Sequence, residues 1–511
     1  MRMKTDLNSL PDDLESLKKI IAQQSATIAY LEEKFRLAQH KQFGKSTEGY
    51  PGQGELFNEV EELAVEPEIE RTEAEKESIT YERKKPIRKP LPKHLPREVV
   101  IHDIAEEDKS CGECGYELHR MGEDKSEQLE FIPAKIKVIE HVRPKYSCRH
   151  CEQSATKVNI KQAPVLASPI PKSFATASLL SQIITSKYQY GLPLYRQESL
   201  FKEYGIALSR QTMSSWLLRC ADLLKPLYNK LHKILLQQAV IQADETTLKV
   251  IESDKAKCYM WLYCTGTDSP ENNYTDIPNI VLYDFHESRA SQCAIDFLQG
   301  HSGYLQVDGY QGYASTKATL VGCWAHARRK FKEADIAQGK GKPRAGKATW
   351  AMNHIKKLYR VEALIKDKPP AEKQTYRQEH ASPLLKEYKA WLDKSILQVP
   401  PKSALGKALA YSLNQWPKLT RYLEDGRLNI DNNRAERAIK PFVIGRKNWL
   451  FSNTASGAHA SSILYSIVET AKANNMVPFE YLHHVISILS ERTEDETLAE
   501  LLPWNVSLPV S

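Results

Sequence analysis

"AVIQADETTLKVI", residues 239–251, is the stretch that decides the fold. Its apolar run ends in Asp244, and it predicts a β-strand that carries an acid. "KCYMWLYCTG" (257–266) and "NIVLYDFHE" (279–287) predict two further strands, because both are short, apolar and rich in aromatic residues. The sequence therefore predicts a sheet whose first strand presents a carboxylate.

Three more segments continue this pattern. "SRASQCAIDFLQG" (288–300) predicts a helix, and "GYLQVDGYQGY" (303–313) predicts a fourth strand that delivers Asp308. "ATLVGCWAHARRKF" (318–331) begins as a fifth strand and passes into a helix. A second aspartate thus follows a strand of the same predicted sheet.

We read the order of elements as β-β-β-α-β-α-β, with Asp244 on the first strand and Asp308 at the end of the fourth. This is the layout of a ribonuclease-H-like domain; the order comes from periodicity and the fold name by analogy. We therefore expect a multidomain α+β chain with a ribonuclease-H-like α/β catalytic core in residues 236–335 and 428–475. The lysine-rich residues 336–427 predict a helical insertion between the two parts.

The third acid of such a core is expected on a later helix, and "DNNRAERAIKPFVIGRKNWLF" (431–451) contains one. Its first three residues are good helix N-caps. A helix from about residue 433 places four apolar side chains on one stripe: Ala435, Ala438, Ile439 and Phe442. Glu436 lies at the edge of this stripe, where it can reach the strand ends. Pro441 is expected to end or kink the helix.

Together, Asp244, Asp308 and Glu436 are candidates for a two-metal catalytic site. Two Mg²⁺ or Mn²⁺ ions about 3.5–4 Å apart can activate an attacking oxygen and stabilise a leaving oxygen in phosphodiester displacement. Such hard cations prefer carboxylate ligands, and without them three clustered acids repel one another. Any one acid alone is more often a helix cap or a surface charge. Four others compete for the role, although strand alternation turns the first to the opposite face: Glu245, Asp284, Glu333 and Glu469.

Basic and aromatic residues accompany these acids and suit a phosphate backbone and a stacked or displaced base. The basic groups after the fifth strand are His326, Arg328 and Arg329, of which His326 and Arg328 are candidate DNA contacts; Lys440, Arg446, Lys447 and Trp449 in the late helix are further candidates. Each also suits an ordinary surface position, and Trp449 equally suits the core.

Composition sets the broad class of the protein. The chain has 511 residues, of which 41% are hydrophobic, enough for several cores. Its net charge of +7 favours a nucleic-acid partner without establishing one. It contains no run of about 18 apolar residues and no signal-peptide core at its start, so we expect a cytoplasmic protein with no membrane partner.

The first 98 residues predict a zipper followed by a linker. Apolar residues recur at alternating steps of four and three from Leu10 to Ala38, which predicts a coiled coil in residues 1–48. A dimer or a partner helix would pair with it, and the alternative is a single helix packed on its own chain. Residues 49–98 change from acidic to basic and proline-rich, which predicts a linker.

Two C-x-x-C pairs within residues 99–165 predict a structural zinc site. They supply four thiolates, enough for one closed tetrahedral set: Cys111, Cys114, Cys148 and Cys151. The alternating residues between the pairs predict strands, as in a zinc ribbon. Redox-active or free thiols are the alternative interpretation.

Residues 166–235 predict helices, with a helix-turn-helix pattern in "RQESLFKEYGIALSRQTMSSWLLRC" (196–220). Arg210 and Gln211 would then lie near the face that meets DNA. Ordinary helix pairs have a similar pattern. Residues 476–511 predict a helical tail in which we identify no chemistry.

Several long motifs resemble the transposases of the IS66 group of bacterial insertion sequences, over nearly the whole chain. Besides the two C-x-x-C pairs they are "FGKSTE", "RKPLPKHLPRE", "ADETTLKV", "LQVDGYQGY", "GCWAHARRKF", "DNNRAERAIKPFVIGRKNWLFS" and "PFEYLHHV". The resemblance implies a DDE transposase, a metal-dependent nucleotidyltransferase that cuts a transposon end to expose a 3′-OH and joins it to target DNA. It makes Asp244 and Asp308 the aspartates and Glu436 the glutamate.

The resemblance also implies partners. They are transposon-end DNA, target DNA and two small companion proteins of the same element. We expect the protein to act at the bacterial nucleoid as a homodimer or higher oligomer. Two other functions stay open on sequence alone: a DNA-binding regulator without catalysis, and a ribonuclease-H-like nuclease. Metal-dependent nicking separates the first from a transposase, and joining of a 3′-OH to new DNA separates the second.

Overall fold

A computed structural model describes residues 13, 15, 136–147, 160–164, 167–266, 277–337, 346–492, 494–506 and 508. The predicted zipper (apart from Asp13 and Glu15), the linker and the four cysteines of the predicted zinc site lie outside these residues. The chain divides into two compact units, Glu68–Ala163 and a larger one formed by Met1–Pro67 and Pro164–Ser511.

The smaller unit contains an antiparallel pair of short strands. Strand β1 is Lys145–Ser147 and strand β2 is Ile160–Gln162, with Lys145 opposite Gln162. The described part of this unit therefore has strand structure within the segment for which the sequence predicts a ribbon. The zinc site itself stays a prediction.

Within the described residues of the larger unit, three helices precede the sheet: α1 (Ala177–Tyr188), α2 (Leu194–Glu203) and α3 (Arg210–Leu236). Ser209 caps α3, because its side chain accepts a hydrogen bond from the Thr212 backbone N–H. Gly205 has a φ of +75° in the preceding turn, a value that favours glycine. Helices α2 and α3 are thus joined by a short turn, and the buried face of α3 belongs to the same hydrophobic core as the sheet. DNA binding by this helix pair stays a prediction.

A five-stranded mixed sheet has the strand order β5-β4-β3-β6-β7. Its strands are β3 (Val240–Leu248), β4 (Cys258–Cys264), β5 (Val281–His286), β6 (Tyr304–Gln306) and β7 (Thr319–Val321). β4 is antiparallel to both β3 and β5, whereas β6 is parallel to both β3 and β7. The apolar sequence of β4 fits its central position, since all its residues but Tyr259 are buried.

The connections follow the predicted order with one difference. Helix α4 (Ser291–Phe297) joins β5 to β6, and α5 (Trp324–Ile336) follows β7. Between β6 and β7 the chain forms a 3₁₀ helix, Gln311–Ser315, instead of the α-helix that we expected. Gly309 and Gly312 occupy this short connection, and glycine disfavours an α-helix.

The segment predicted as an insertion forms helices with a core of their own. They are α6 (Lys347–Leu364), α7 (Pro370–Ile396), α8 (Ala404–Asn414) and α9 (Trp416–Leu419). Trp324 and Phe331 of α5 are fully buried in this second core. Helix α5, which directly follows the sheet, therefore anchors the insertion.

The remaining helices are α10 (Asn433–Trp449), α11 (Ala455–Ala473), α12 (Pro478–Leu489) and α13 (Asp495–Glu500). Helix α11 covers the edge strand β5. Its Ser466 and Thr470 hydroxyls accept the backbone N–H groups of Tyr283 and Val281 at 2.7 and 3.1 Å. The hydroxyls thus accept hydrogen bonds from backbone N–H groups that would otherwise be exposed at the edge of the sheet.

The opposite edge strand, β7, is also covered. The Arg421 guanidinium donates to the Leu320 carbonyl at 2.6 Å, and the Gly322 N–H donates to the Lys418 carbonyl at 2.9 Å. Residues at the end of the insertion, Lys418 in α9 and Arg421 just after it, thus close this side of the sheet. No helix in the described ranges is long and apolar enough to cross a membrane.

Arg377 is a buried cation that holds the insertion together. Its guanidinium bonds both carboxylate oxygens of Glu362, at 2.9 and 2.6 Å. It also donates to three backbone carbonyls, those of Tyr422, Asp425 and Leu428. Only 2% of Arg377 is exposed, so these partners have little access to water.

We expect Arg377→Leu to lower the free energy of unfolding by about 3–5 kcal/mol, because it leaves the half-buried Glu362 carboxylate and three carbonyls without their donor. The matched control is Lys389→Leu, which removes an exposed ion pair with Asp393 and should cost about 0–1 kcal/mol. Chemical unfolding of both variants beside the wild type measures the difference. Equal unfolding midpoints would contradict this role of Arg377.

Candidate active site

Parallel strands bring Asp244 and Asp308 to the same level of the sheet. β3 and β6 pair with Gln242 opposite Gln306. Each aspartate lies two residues beyond its glutamine, and side chains two apart share a face of an extended chain. Asp308 lies just past the end of β6, where its Oδ1 accepts the Tyr310 backbone N–H at 2.8 Å.

Glu436 lies in the first turn of α10, and Asn432 attaches that turn to the sheet. The Asn432 side-chain amide donates to the Ala243 carbonyl at 2.8 Å, one residue before Asp244. The Asn432 backbone N–H donates to the Cys323 sulfur at 3.2 Å. Asn432 is the N-cap residue, but its side chain makes no capping hydrogen bond because the strand engages it instead.

Asp431 connects the same turn to the helical insertion. Its carboxylate accepts hydrogen bonds from the Tyr359 hydroxyl at 2.7 Å and from the Asn433 side chain at 2.8 Å. Tyr359 belongs to α6, so the insertion supports the segment that leads into α10.

Helix α10 runs through Pro441 to Trp449, so the expectation that proline ends it was wrong. Proline lacks the N–H for one helical hydrogen bond. The apolar stripe compensates, since three of its side chains are buried: Ala435, Ile439 and Phe442. The Tyr283 hydroxyl also donates to the Ala438 carbonyl. Tertiary packing therefore overrides the local preference.

Both carboxylate oxygens of Glu436 face residues of α5. Arg329 donates to Oε2 at 3.1 Å, and Nδ1 of His326 lies 3.3 Å from Oε1. Burial raises the pKa of Glu436 to about 7, although the Arg329 charge opposes this shift. Burial and the Arg329 charge lower the pKa of His326 to about 4, so this ring is neutral at pH 7.

Asp244 lies in the electric field of the other acids. Burial, followed by repulsion from Glu245, Glu436 and Asp308, raises the pKa of Asp244 well above its usual value. The Glu245 backbone N–H, which bonds to Oδ1 at 2.8 Å, opposes this shift. Acids gathered in this way are unfavourable unless cations offset their charge. The cluster is therefore a candidate site for divalent cations.

Each of the four rival acids has a partner of its own, although Glu245 also acts on Asp244. Glu245 accepts hydrogen bonds from Arg289 and, at 2.6 Å, from the Tyr313 hydroxyl. The others pair with a neighbour on the same element: Asp284 with His286 at 2.7 Å, Glu333 with Lys330 at 3.8 Å, and Glu469 with Lys472 at 2.8 Å.

The predicted DNA contacts differ in exposure. Arg210, Gln211 and Lys447 are exposed, and Lys440 is half-buried one helical turn after Glu436. These four side chains lie where a nucleic acid can reach them.

The other predicted DNA contacts have partners within the protein. Arg328 is only 8% exposed, because it lies on the α5 face that packs into the second core, so DNA contact does not suit it. His326 faces Glu436. Arg446 donates to the Thr247 carbonyl, and Trp449 packs edge-on against Phe442 with ring centroids 5.5 Å apart.

Sequence reasoning missed three contacts to this cluster, made by Arg329, Asn432 and Tyr411. The Tyr411 hydroxyl donates to the Asp308 carbonyl at 2.6 Å across 103 residues, and nothing local in the sequence indicates that contact. For Arg329 a signal exists: residues 323, 326 and 329 follow one another at steps of three, which places them on one face of a helix.

Four family models match successive parts of the chain. "Transposase IS66 family" matches residues 172–460, more than half of the chain and all three acids. "Zinc-finger binding domain of transposase IS66" matches residues 108–152, which contain the four cysteines. "Transposase C of IS166 homeodomain" matches residues 30–100, and "IS66 C-terminal element" matches residues 466–504.

Three similar proteins come from Sinorhizobium fredii (strain NBRC 101917 / NGR234). The uncharacterized protein y4jD is 33% identical over 97% of this chain and 97% of its own length. The uncharacterized protein y4qI is 33% identical over 82% of this chain and 78% of its own length, and y4hP is 32% identical over 87% and 81%. On the family model and on the near full-length similarity, this chain belongs to the IS66 family of transposases.

Proposed function

We propose that the chain is a DNA transposase that cuts transposon ends and joins the released 3′-OH to target DNA, with Asp244, Asp308 and Glu436 as its catalytic carboxylates. One observation carries this proposal: three acids from β3, the end of β6 and the start of α10 act on one another electrostatically at one place. Family membership supports the same activity.

The sheet supports a ribonuclease-H-like core. Three antiparallel strands come first in sequence, and two short strands then add in parallel on the far side of the first one. The two aspartates belong to the neighbouring strands β3 and β6. A ribonuclease-H-like core uses this layout to gather its acids.

The residues present fit two Mg²⁺ or Mn²⁺ ions. The ligands on offer are carboxylate oxygens, which these cations prefer. Oε1 of Glu436 is buried without a hydrogen-bond partner within the described structure, as expected of an atom that needs a cation. When bound, the pair of cations would activate the attacking oxygen and stabilise the leaving oxygen of the phosphodiester.

The chain's own groups orient this site. Asn432 fixes the first turn of α10 against β3, Arg329 holds one oxygen of Glu436, and Tyr411 holds the backbone at Asp308. In the proposed reaction water attacks the phosphodiester at the transposon end, and the freed 3′-OH then attacks a target phosphate. No covalent bond to the protein forms.

We assign the DNA contacts to three accessible basic side chains and one amide side chain: Arg210, Lys440, Lys447 and Gln211. Cys111, Cys114, Cys148 and Cys151 are proposed to hold a structural zinc ion, which the zinc-finger family match supports. The heptads of residues 1–48 are proposed to join copies into a dimer or higher oligomer on DNA, with the companion proteins as further partners.

Asp244→Asn, Asp308→Asn and Glu436→Gln are each expected to abolish strand transfer and leave end binding intact. Loss of a cation ligand removes several kcal/mol of transition-state stabilisation, about 10³-fold in rate. The assay joins a labelled, pre-cleaved transposon-end duplex to a plasmid in Mg²⁺ or Mn²⁺, and a gel shift measures binding. A chelator should stop the wild-type reaction.

The matched control is Asp284→Asn, which makes the same acid-to-amide change outside the cluster and should keep joining activity. Joined product from any of the three cluster variants would refute that assignment. Nicking without joining would indicate a nuclease. End binding with neither reaction, even with the companion proteins added, would indicate a regulator.

Asn432→Ala is expected to reduce strand transfer by about 10²-fold, because displacement of a catalytic group by about 1 Å can have an effect of that size. The variant removes the hydrogen bond from the Asn432 side chain to the Ala243 carbonyl of β3, so Glu436 is no longer held in position relative to Asp244. Asn414→Ala, at the exposed end of α8, is the control. Unchanged joining by Asn432→Ala would show that this hydrogen bond does not position Glu436.

A further inference from the structure

A second set of potential ligands shares Glu436 with the proposed catalytic site. The Cys323 sulfur, a ring nitrogen of His326 and a carboxylate oxygen of Glu436 all lie within 4.8 Å of one another. Cys323 and His326 form a C-x-x-H pair at the start of α5, and Glu436 joins them from α10. Three ligand atoms at this spacing can reach one small cation.

Two of these ligands end in atoms without a hydrogen-bond partner in the described structure. Nδ1 of His326 and Oε1 of Glu436 are both buried, and they face each other at 3.3 Å without the geometry of a hydrogen bond. The Glu436 side chain is only 5% exposed. Buried polar atoms are rarely left unpaired in proteins, so an atom or ion that bonds to both is expected between them.

The third ligand is the thiol of Cys323. Burial, followed by the charges of Asp431 and Glu436, raises the pKa of this thiol well above its usual value, and two backbone contacts oppose that shift. The Cys323 sulfur is fully buried and accepts backbone N–H groups from Asn432, at 3.2 Å, and from His326. N–H groups directed at a sulfur stabilise its thiolate, the form that binds metals.

We propose that Cys323, His326 and Glu436 bind one Zn²⁺ ion, and that zinc at this site restrains transposition by withdrawing Glu436 from Asp244 and Asp308. The second half rests on the proposed function. A sulfur, an imidazole nitrogen and one carboxylate oxygen form a donor set that favours Zn²⁺ over Mg²⁺. Water would supply the fourth ligand.

Zinc binding breaks the S–H bond of Cys323, forms a Zn–S bond and releases the proton to the buffer. Arg329 opposes zinc binding. Its guanidinium donates a hydrogen bond to Nε2 of His326 at 3.2 Å, so the proton of the neutral ring lies on Nδ1. When Nδ1 binds zinc, that proton must move to Nε2, and the Arg329 donor must turn away. Arg329→Gln should therefore tighten zinc binding.

The first test counts zinc. The full-length chain is dialysed against buffered Zn²⁺, and the metal content per chain is measured for the wild type, Cys323→Ser and the matched Cys220→Ser, which changes another buried free cysteine. We expect the wild type and Cys220→Ser to hold one zinc more than Cys323→Ser. Equal metal content in all three would overturn the proposal. His326→Gln repeats the test without touching a cysteine and should also lose that zinc.

The second test measures inhibition. Zn²⁺ is titrated into strand transfer at constant Mg²⁺, and half-inhibition of Cys323→Ser should need at least about 10-fold more zinc than the wild type, one factor of ten for each 1.4 kcal/mol of lost affinity. Equal inhibition would overturn the regulatory half. The zinc count involves no DNA chemistry, so a lost zinc in Cys323→Ser supports the site even if the catalytic assignment fails.

Discussion

The hydrogen bond from the Asn432 side chain to the Ala243 carbonyl joins segments that lie 189 residues apart. The hydrogen bond lies one residue before Asp244 and four residues before Glu436. The distance between these two acids, which are far apart in the sequence, therefore depends on it. Those acids repel each other, and burial makes the repulsion stronger. Without cations, this repulsion would move Asp244 and Glu436 apart, so other contacts in the larger unit must hold them together.

The helical insertion does part of this work. Tyr359 from α6 bonds to Asp431 just before α10, and Tyr411 from α8 bonds to the backbone of Asp308. The insertion thus contacts the supports of two acids while keeping a separate hydrophobic core. Its Arg377 network joins α7 to the Tyr422 carbonyl and to Glu362 of α6, one of the helices that make these contacts. We regard the insertion as a frame for the candidate site.

Much of the core was predictable, because strong local patterns determine it. The five strands and the start of α10 follow from apolar periodicity. Glu245, which we expected strand alternation to turn to the opposite face, bonds to Arg289 and Tyr313 but also adds to the charge that raises the pKa of Asp244. Two local expectations failed where packing or glycine decided the outcome: α10 continues through Pro441, and the β6–β7 connection is a 3₁₀ helix. The contacts of Asn432 and Tyr411 join residues distant in sequence, and no periodicity encodes such pairs.

The covered edges of the sheet limit how copies of this protein can assemble. Hydroxyls of α11 occupy the N–H groups of β5, and Arg421 and the Lys418 carbonyl occupy groups of β7. Few backbone groups of these two strands are therefore free to bond to a strand of a second chain, so the sheets of two copies are not expected to join edge to edge. Under the proposed function, copies that assemble on one DNA would therefore meet through side-chain surfaces or helices, away from the hydrogen-bonded edges of the sheet.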